Sequence, residues 1–146
     1  MPLWRVFHPD NTFTTKEERD ALSADITKIY TKAGLPAFYV VVIFNAVPAE
    51  KIYVGGVSND KAGTPFIRIV FENIARKMGS SDRKSGFLSR VDEVLKPYIA
   101  DKGYDWEYHG LETDRELWKL NGLVPPGTGT EGEQLWVKEN KAVPYE

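Results

Sequence analysis

The sequence predicts an α+β fold in which two tandem β-α-β units form a four-stranded sheet with two helices on one face. The main observation is an internal repeat, in which PLWRVF at 2–7 resembles PFIRIVF at 65–71. Each copy is followed by a segment of helical periodicity and then by a second strand-like run. We therefore expect a single domain with three parts: a first unit at 2–47, a second unit at 65–112 and a C-terminal extension at 113–146.

Composition limits the classes of function. The chain has 146 residues, of which 42% are apolar and 27% charged, as is ordinary for one soluble domain. Its net charge of −2 gives no indication of a nucleic-acid or membrane partner. The absence of cysteine excludes disulfides and thiolate catalysis. No signal peptide or membrane span is visible, so we expect a cytoplasmic protein, and no pattern indicates a metal or other cofactor.

The first unit contains two strands around a helix. LWRVF at 3–7 is rich in strand formers, and Thr14 and Glu17 have capping-box spacing at the start of a helix. The apolar run at 37–47 is the strongest strand prediction. Its two apolar faces predict a central strand in a sheet covered on both sides, with the face away from the helices buried against another subunit. A hairpin or exposed loop follows at 51–63. The residues expected on the buried face of the helix are Leu22, Ile26, Ile29 and Tyr30.

The second unit repeats this order. A strand is predicted at 65–74, and the alternating pattern at 104–112 predicts another. The helix between them should end or kink at Pro97, because proline cannot continue the backbone hydrogen bonds. Short helices are expected at 113–120 and 133–140. The residues expected on the buried side of the long helix are Phe87, Leu88, Val91, Val94 and Leu95.

Several motifs together resemble a known family. The chain begins Met-Pro, carries a W-x-Y motif at Trp106 and Tyr108, and has a late NGLVPPG segment. With the repeat, these are similar to the tautomerase superfamily, in particular to its cis-3-chloroacrylic acid dehalogenase-like, oxalocrotonate-tautomerase branch of the fungal type. The similarity covers residues 2 to 126. It implies a homotrimer in which each active site is built around an amino-terminal proline and takes a small carboxylate.

Pro2 is the candidate catalytic group. Removal of a methionine that precedes a small residue would expose the proline ring nitrogen. An α-amino group has a pKa of about 8, and burial or nearby cations lower that pKa. The neutral amine is then a competent general base. The alternative is that Pro2 only begins a strand; if Met1 is retained, the Pro2 nitrogen is an amide and cannot act as a base.

Arg76 is the second candidate. The segment ENIARKM resembles the family segment in which two arginines, three residues apart, bind the substrate carboxylate. Here Asn73 replaces the first arginine and Arg76 matches the second, which suits a carboxylate because the guanidinium offers two parallel donors. Arg68 and Lys77 are the alternatives if the alignment is shifted.

Three aromatic residues are further candidates. Tyr108 matches the family tyrosine that lines the pocket, and Tyr30 stands where the dehalogenase branch has a histidine, although Tyr30 is equally suited to the core. Trp118, or its neighbour Lys119, stands where the hydrolytic members have a water-activating glutamate. That loss argues against addition of water.

The resemblance implies an isomerase: a tautomerase whose proline is the general base in enol–keto proton transfer on a small 2-oxo or enol carboxylate, such as an aryl enolpyruvate. A hydratase or dehalogenase of unsaturated acids, with the proline as general acid, is the alternative enzyme. A binding protein similar to macrophage migration inhibitory factor is the non-enzymatic alternative. A dimeric α+β barrel of another lineage, in which Pro2 has no role, is the remaining one.

Overall fold

The computed structural model describes residues 1–74 and 76–146. It contains a four-stranded sheet, a small hairpin and helices on one side of the sheet. In chain order the elements are β1 (Pro2–Pro9), α1 (Lys16–Thr31), β2 (Val41–Val47), β3 (Tyr53–Val54), β4 (Val57–Ser58), α2 (Asn59–Ala62), β5 (Phe66–Ile74), α3 (Ser81–Leu95), β6 (Asp105–Thr113) and α4 (Glu131–Glu139).

The sheet has the order β2-β1-β5-β6 and is mixed. β1 is parallel to β2 and β5 is parallel to β6, whereas β1 and β5 pair antiparallel in the middle. A parallel pair needs a crossover connection, and α1 and α3 provide the two crossovers. This arrangement confirms the predicted α+β fold with two successive β-α-β units.

One apolar core lies between the sheet and the two long helices. Alternate side chains of β1 and β5 are buried, and the helices present their apolar stripes to them. The predicted helix faces are confirmed for α1 and largely for α3. The fully buried members of this core include Trp4, Val6, Leu22, Ile26, Ile67, Ile69, Val91 and Leu95.

Local boundaries of the first unit differ from the prediction. The N-cap of α1 is Thr15, not Thr14, because the Thr15 hydroxyl accepts a hydrogen bond of 3.2 Å from the Glu18 amide. The strand predicted at 37–47 begins only at Val41, and it lies at the edge of the sheet, not in its centre. Residues 37–39 form a 3₁₀ turn instead, which directs the Tyr39 ring into the core against Trp118.

Two predictions for the second half of the chain also need correction. Leu88 is 38% exposed, because the core-facing row of α3 runs through Phe87 and the residues one and two turns later. The helix predicted at 113–120 is only a 3₁₀ turn at Arg115–Leu117, after which the backbone is extended at Trp118. The hairpin is confirmed as β3 and β4, and α3 ends before Pro97, as predicted.

The outer face of the sheet, away from the helices, carries both apolar and charged side chains. Ile43 and Leu111 are exposed, but they lie among charged groups. Arg5 on β1 forms an ion pair of 2.9 Å with Glu72 on β5. Burial of this face against another subunit therefore stays a prediction.

None of the helices in the described part of the chain combines the length and apolar character needed to cross a bilayer.

Gly110 on β6 provides a test of this packing. A Cβ atom at Gly110 would lie 2.2 Å from the buried Phe71 ring, so alanine must displace that ring. We expect Gly110→Ala to lower the free energy of unfolding by about 1–3 kcal/mol, measured by urea denaturation. Gly86→Ala in α3 is the matched control: its Cβ would meet only the Arg90 side chain at 3.8 Å. Because alanine favours the helix, this control should raise stability by up to about 1 kcal/mol. Equal stability of the two variants would contradict the packing.

Candidate active site

Pro2 is buried at the amino-terminal end of β1, directly opposite Asn73 of β5. Proline is suited to the first position of a strand, where a missing backbone N–H breaks no ladder bond. Pro2 lines a cavity of about 160 Å³ together with Tyr30, Asn73 and Arg76. The structure thus brings together four of the residues that the sequence indicated, although they lie on three different segments. The other walls are mainly apolar and include Ile29 and Phe87.

A hydrogen-bonded chain runs along one wall of this cavity. The Trp4 indole N–H donates to the Tyr30 hydroxyl over 2.9 Å, and that hydroxyl donates to the Asn73 side-chain oxygen over 2.9 Å. Burial raises the pKa of Tyr30 well above its usual value, and the bond from Trp4 only partly offsets this effect. Tyr30 therefore keeps its proton at neutral pH and is both a core residue and a cavity residue.

Arg76 is held in place by groups that the sequence did not indicate. Its Nη2 atom is 2.8 Å from Oε1 of Glu133, and its Nη1 donates to the Ala33 carbonyl over 3.1 Å. Glu133 is buried on α4, and its second oxygen accepts a hydrogen bond of 2.7 Å from the Gly129 amide. Thr130 and Glu133 have capping-box spacing, a signal that predicts the start of α4 but not the ion pair with Arg76.

The amino terminus lies beside this ion pair. The Met1 amine donates to the Ile74 carbonyl over 2.9 Å. Burial, and then the charges of Arg76 and Arg115, lower the pKa of this amine from 8.0 to about 5. Arg115 was not indicated by the sequence; its Nη2 donates to the Pro125 and Pro126 carbonyls. In the chain as it stands, Met1 carries the amine and Pro2 nitrogen belongs to a peptide bond.

Trp118 lies near the amino terminus but does not line the Pro2 cavity. It lines a residual space of only about 10 Å³ around Met1, together with Arg76, Arg115 and Glu133. Its ring meets the Tyr39 ring edge-on, with a centroid separation of 5.1 Å. Tyr39 is a further residue that sequence reasoning missed, because its position within an apolar run made it look like part of a strand.

Two predicted residues lie elsewhere. The Tyr108 hydroxyl donates to Asp92 of α3 over 2.6 Å, and its ring packs against Phe71. Arg68 lies on the outer face of the sheet, where it donates to the Ile69 carbonyl over 2.8 Å and approaches His109. Within one chain neither lines the Pro2 cavity, because strand alternation directs Arg68 to the outer face and the bond to Asp92 holds Tyr108 against α3.

Over residues 1–74 and 76–146, no group of three or more His, Asp or Glu side chains is arranged to hold a metal ion.

The Tyr30 hydroxyl provides a test of the cavity wall. Tyr30→Phe leaves the Trp4 donor and the Asn73 acceptor without their common partner in a buried place. We expect the free energy of unfolding to fall by about 2–4 kcal/mol, measured by urea denaturation. Tyr53→Phe is the control, because Tyr53 is 65% exposed and should change stability by less than about 0.5 kcal/mol. A Tyr30→Phe protein as stable as this control would contradict the buried chain of hydrogen bonds.

Comparison with solved structures gives two near relatives. Native RhCC from Rhodococcus jostii RHA1 is 42% identical, with a TM-score of 0.91 over 98% of this chain and 99% of its own. A protein described as "a probable enzyme" from the thermophilic fungus Aspergillus fumigatus is 43% identical, with a TM-score of 0.89 over 99% of this chain and 98% of its own. A fused 4-OT trimer, at 19% identity and a TM-score of 0.62, shares the fold. The search of curated proteins gives no match.

The family comparison covers almost the whole chain. Residues 1–141 match the profile of the family Tautomerase_3, described as "Putative oxalocrotonate tautomerase enzyme". This match excludes the dimeric α+β barrel lineage and agrees with the resemblance carried by Pro2 and the repeat. With its two near structural relatives and this match over 1–141, the chain belongs to the Tautomerase_3 family of the tautomerase superfamily.

Proposed function

We propose that this protein is a tautomerase that uses the amino group of Pro2, exposed by removal of Met1, as the general base for enol–keto proton transfer. The substrate is a small 2-oxo or enol carboxylate, such as an aryl enolpyruvate. The observation that carries this proposal is the position of Pro2: it lies at the end of a buried strand, in a cavity that it shares with Arg76. Family membership supports an enzyme of this class.

The surroundings of the amino terminus suit a general base. Burial and two guanidinium groups lower the pKa of the Met1 amine to about 5. Pro2 shares its cavity with Arg76, Arg90 and several apolar side chains, and these groups would face the Pro2 amine once Met1 is removed. Burial and nearby cations disfavour the charged form of an amine, so we expect the Pro2 amine to act in its neutral form.

The proton balance of the reaction needs no other reactant. In ketonisation, the neutral amine accepts the proton of the enol hydroxyl, the enol oxygen becomes the carbonyl oxygen, and the resulting ammonium protonates the neighbouring carbon. In the opposite direction the amine removes a proton from the carbon next to the carbonyl. The amine ends each cycle neutral, and one group serves in both proton transfers.

Arg76 and the apolar walls account for substrate binding. The Arg76 guanidinium binds the substrate carboxylate, and Asn73 donates from its amide group to a carbonyl or carboxylate oxygen. Ile29 and Phe87 line the same cavity and favour an unsaturated or aryl substituent. The hydratase alternative lacks a base for water: Glu133, the carboxylate beside Met1, already accepts hydrogen bonds from Arg76 and Gly129 with its two oxygens.

We also propose that the working protein is a cytoplasmic homotrimer. The outer face of the sheet exposes apolar side chains of β2 and β6, including Ile43 and Leu111, which an isolated chain would leave in water. Contact between the sheets of neighbouring subunits would remove these apolar side chains from water. A neighbouring chain would also give Tyr108 a route to a site that it does not reach within its own chain.

The role of Pro2 is tested by substitution. Both Pro2→Ala and the wild type begin with a small residue that permits removal of methionine, which intact mass verifies. We expect Pro2→Ala to lower the turnover number for phenylenolpyruvate ketonisation by about 10²-fold or more, because the ring-held secondary amine is lost. Pro65→Ala is the matched control, since Pro65 occupies the repeat-equivalent position in mid-chain, and it should keep its rate. Equal rates for the wild type and a folded Pro2→Ala protein would reject the catalytic role.

The pH profile distinguishes a base from an acid. A general base works in its neutral form, so kcat/KM should fall as the pH drops through the pKa of the amine, with a midpoint between about 5 and 8. Arg76→Ala removes a cation that lowers this pKa, and the midpoint should move to higher pH. Arg83→Ala, on the exposed start of α3, should leave it unchanged. A rate that instead increases towards acidic pH would favour the general-acid alternative.

A further inference from the structure

The space around Met1 and the Pro2 cavity share part of their walls. Leu35, Ile74 and Arg76 line both spaces. Met1 itself lines the second space, in which only about 10 Å³ is free. Removal of Met1, as proposed above, takes away one wall of this space, and we expect the two spaces to open into one cavity beside the Pro2 amine.

Two buried hydrogen-bond donors belong to the wall behind Met1. Tyr39 is 3% exposed and Trp118 8% exposed, and both line this space. Among the described residues, the Tyr39 hydroxyl and the Trp118 indole N–H are the buried side-chain polar atoms that have no hydrogen-bond partner in the protein. Buried donors are rarely left unpaired, because the lost hydration costs about 1–3 kcal/mol for each group. Their arrangement is explained if a ligand supplies the acceptor.

The charges around the space select the kind of acceptor. Arg76 and Arg115 both line the space beside Met1, so two guanidinium groups lie close to it. Glu133 is already bonded to Arg76 and to the Gly129 amide. Burial, and then the charge of Glu133, raise the pKa of Tyr39 to about 12, so its hydroxyl keeps its proton at neutral pH. A wall of donors beside two cations accepts an anion with several oxygen atoms.

We propose that Tyr39, Trp118 and Arg115 form the carboxylate-binding wall of the active site. Tyr39 and Trp118 each donate a hydrogen bond to the substrate carboxylate, and Arg115 supplies the second positive charge beside Arg76. Arg115 thus compensates for the arginine that Asn73 replaces, although it comes from a different part of the chain. This inference rests on the proposed function, because the wall becomes accessible only when Met1 is absent.

Binding of phenylpyruvate to the Met1-free protein tests the wall, with phenylacetone as the probe that lacks the carboxylate. Calorimetry should show that Tyr39→Phe and Trp118→Phe each weaken phenylpyruvate binding by about ten-fold, the effect of one hydrogen bond to a charged group. Arg115→Lys, which keeps the charge but not the fork, should weaken it by a similar factor. Phenylacetone binding should stay unchanged in all three, which shows that the cavity is intact. Tyr53→Phe is the matched control.

The outcomes separate the wall from the catalytic proposal. The carboxylate-wall proposal is rejected if Tyr39→Phe and Arg115→Lys bind phenylpyruvate as tightly as the wild type. It is also rejected if the wild type does not bind phenylpyruvate. Both conclusions hold whether or not Pro2 is the general base. Equal loss of both probes overturns the carboxylate wall too, because a general loss of packing would then explain the result. Pro2→Ala should keep phenylpyruvate binding within about two-fold while losing turnover. If Pro2→Ala instead keeps its turnover, the base assignment fails and the binding result still decides the wall.

Discussion

The antiparallel pairing of β1 with β5 determines where the site lies. It sets Pro2, at the start of one strand, opposite Asn73, near the end of the other. This register is held by the core, because Trp4 and Val6 must point towards the helices. A slip of one residue would turn both to the outer face and expose them to water. The burial of Trp4 and Val6 in the core thus fixes the position of the Pro2 ring at the start of β1.

The C-terminal extension completes the site from outside the repeat. Trp136 of α4 is fully buried, and its indole N–H donates to the Val143 carbonyl over 2.7 Å, which ties the tail to the domain. The same helix holds Glu133 against Arg76. The loop before it supplies the carbonyl groups that position Arg115. The residues around the amino terminus are therefore oriented by a segment more than a hundred residues away, and rigidity of that tail is a condition for the electrostatics of the site.

Much of the fold could be predicted because its signals are local or repeated. The periodicity of apolar residues and the internal repeat predicted the strands and helices. Similarity to a family indicated Pro2 and Arg76. The other residues of the proposed site could not be predicted, because they come together only through contacts between distant segments. Tyr39 lies in an apolar run that reads as a strand, and Arg115 and Glu133 lie in charged stretches typical of a solvated surface. For Tyr108, alternation along the strand does not say which face meets the helices.

The internal repeat makes the end of the sheet near Pro65 equivalent to the end near Pro2, but the residues at the two ends differ. At the far end, Pro65 takes the place of Pro2, but its nitrogen is locked in mid-chain. In the repeat alignment, Asp10 and Phe13 occupy the positions of Asn73 and Arg76. Phe13 is buried there, with its ring centroid 5.4 Å from that of His8 and 5.5 Å from that of Phe44. The two repeated units have kept a similar shape, but packed aromatic rings close one end of the sheet, whereas charged groups surround the amino terminus at the other. Substitutions at equivalent positions should therefore alter mainly stability at the first end and the proposed proton transfer at the second.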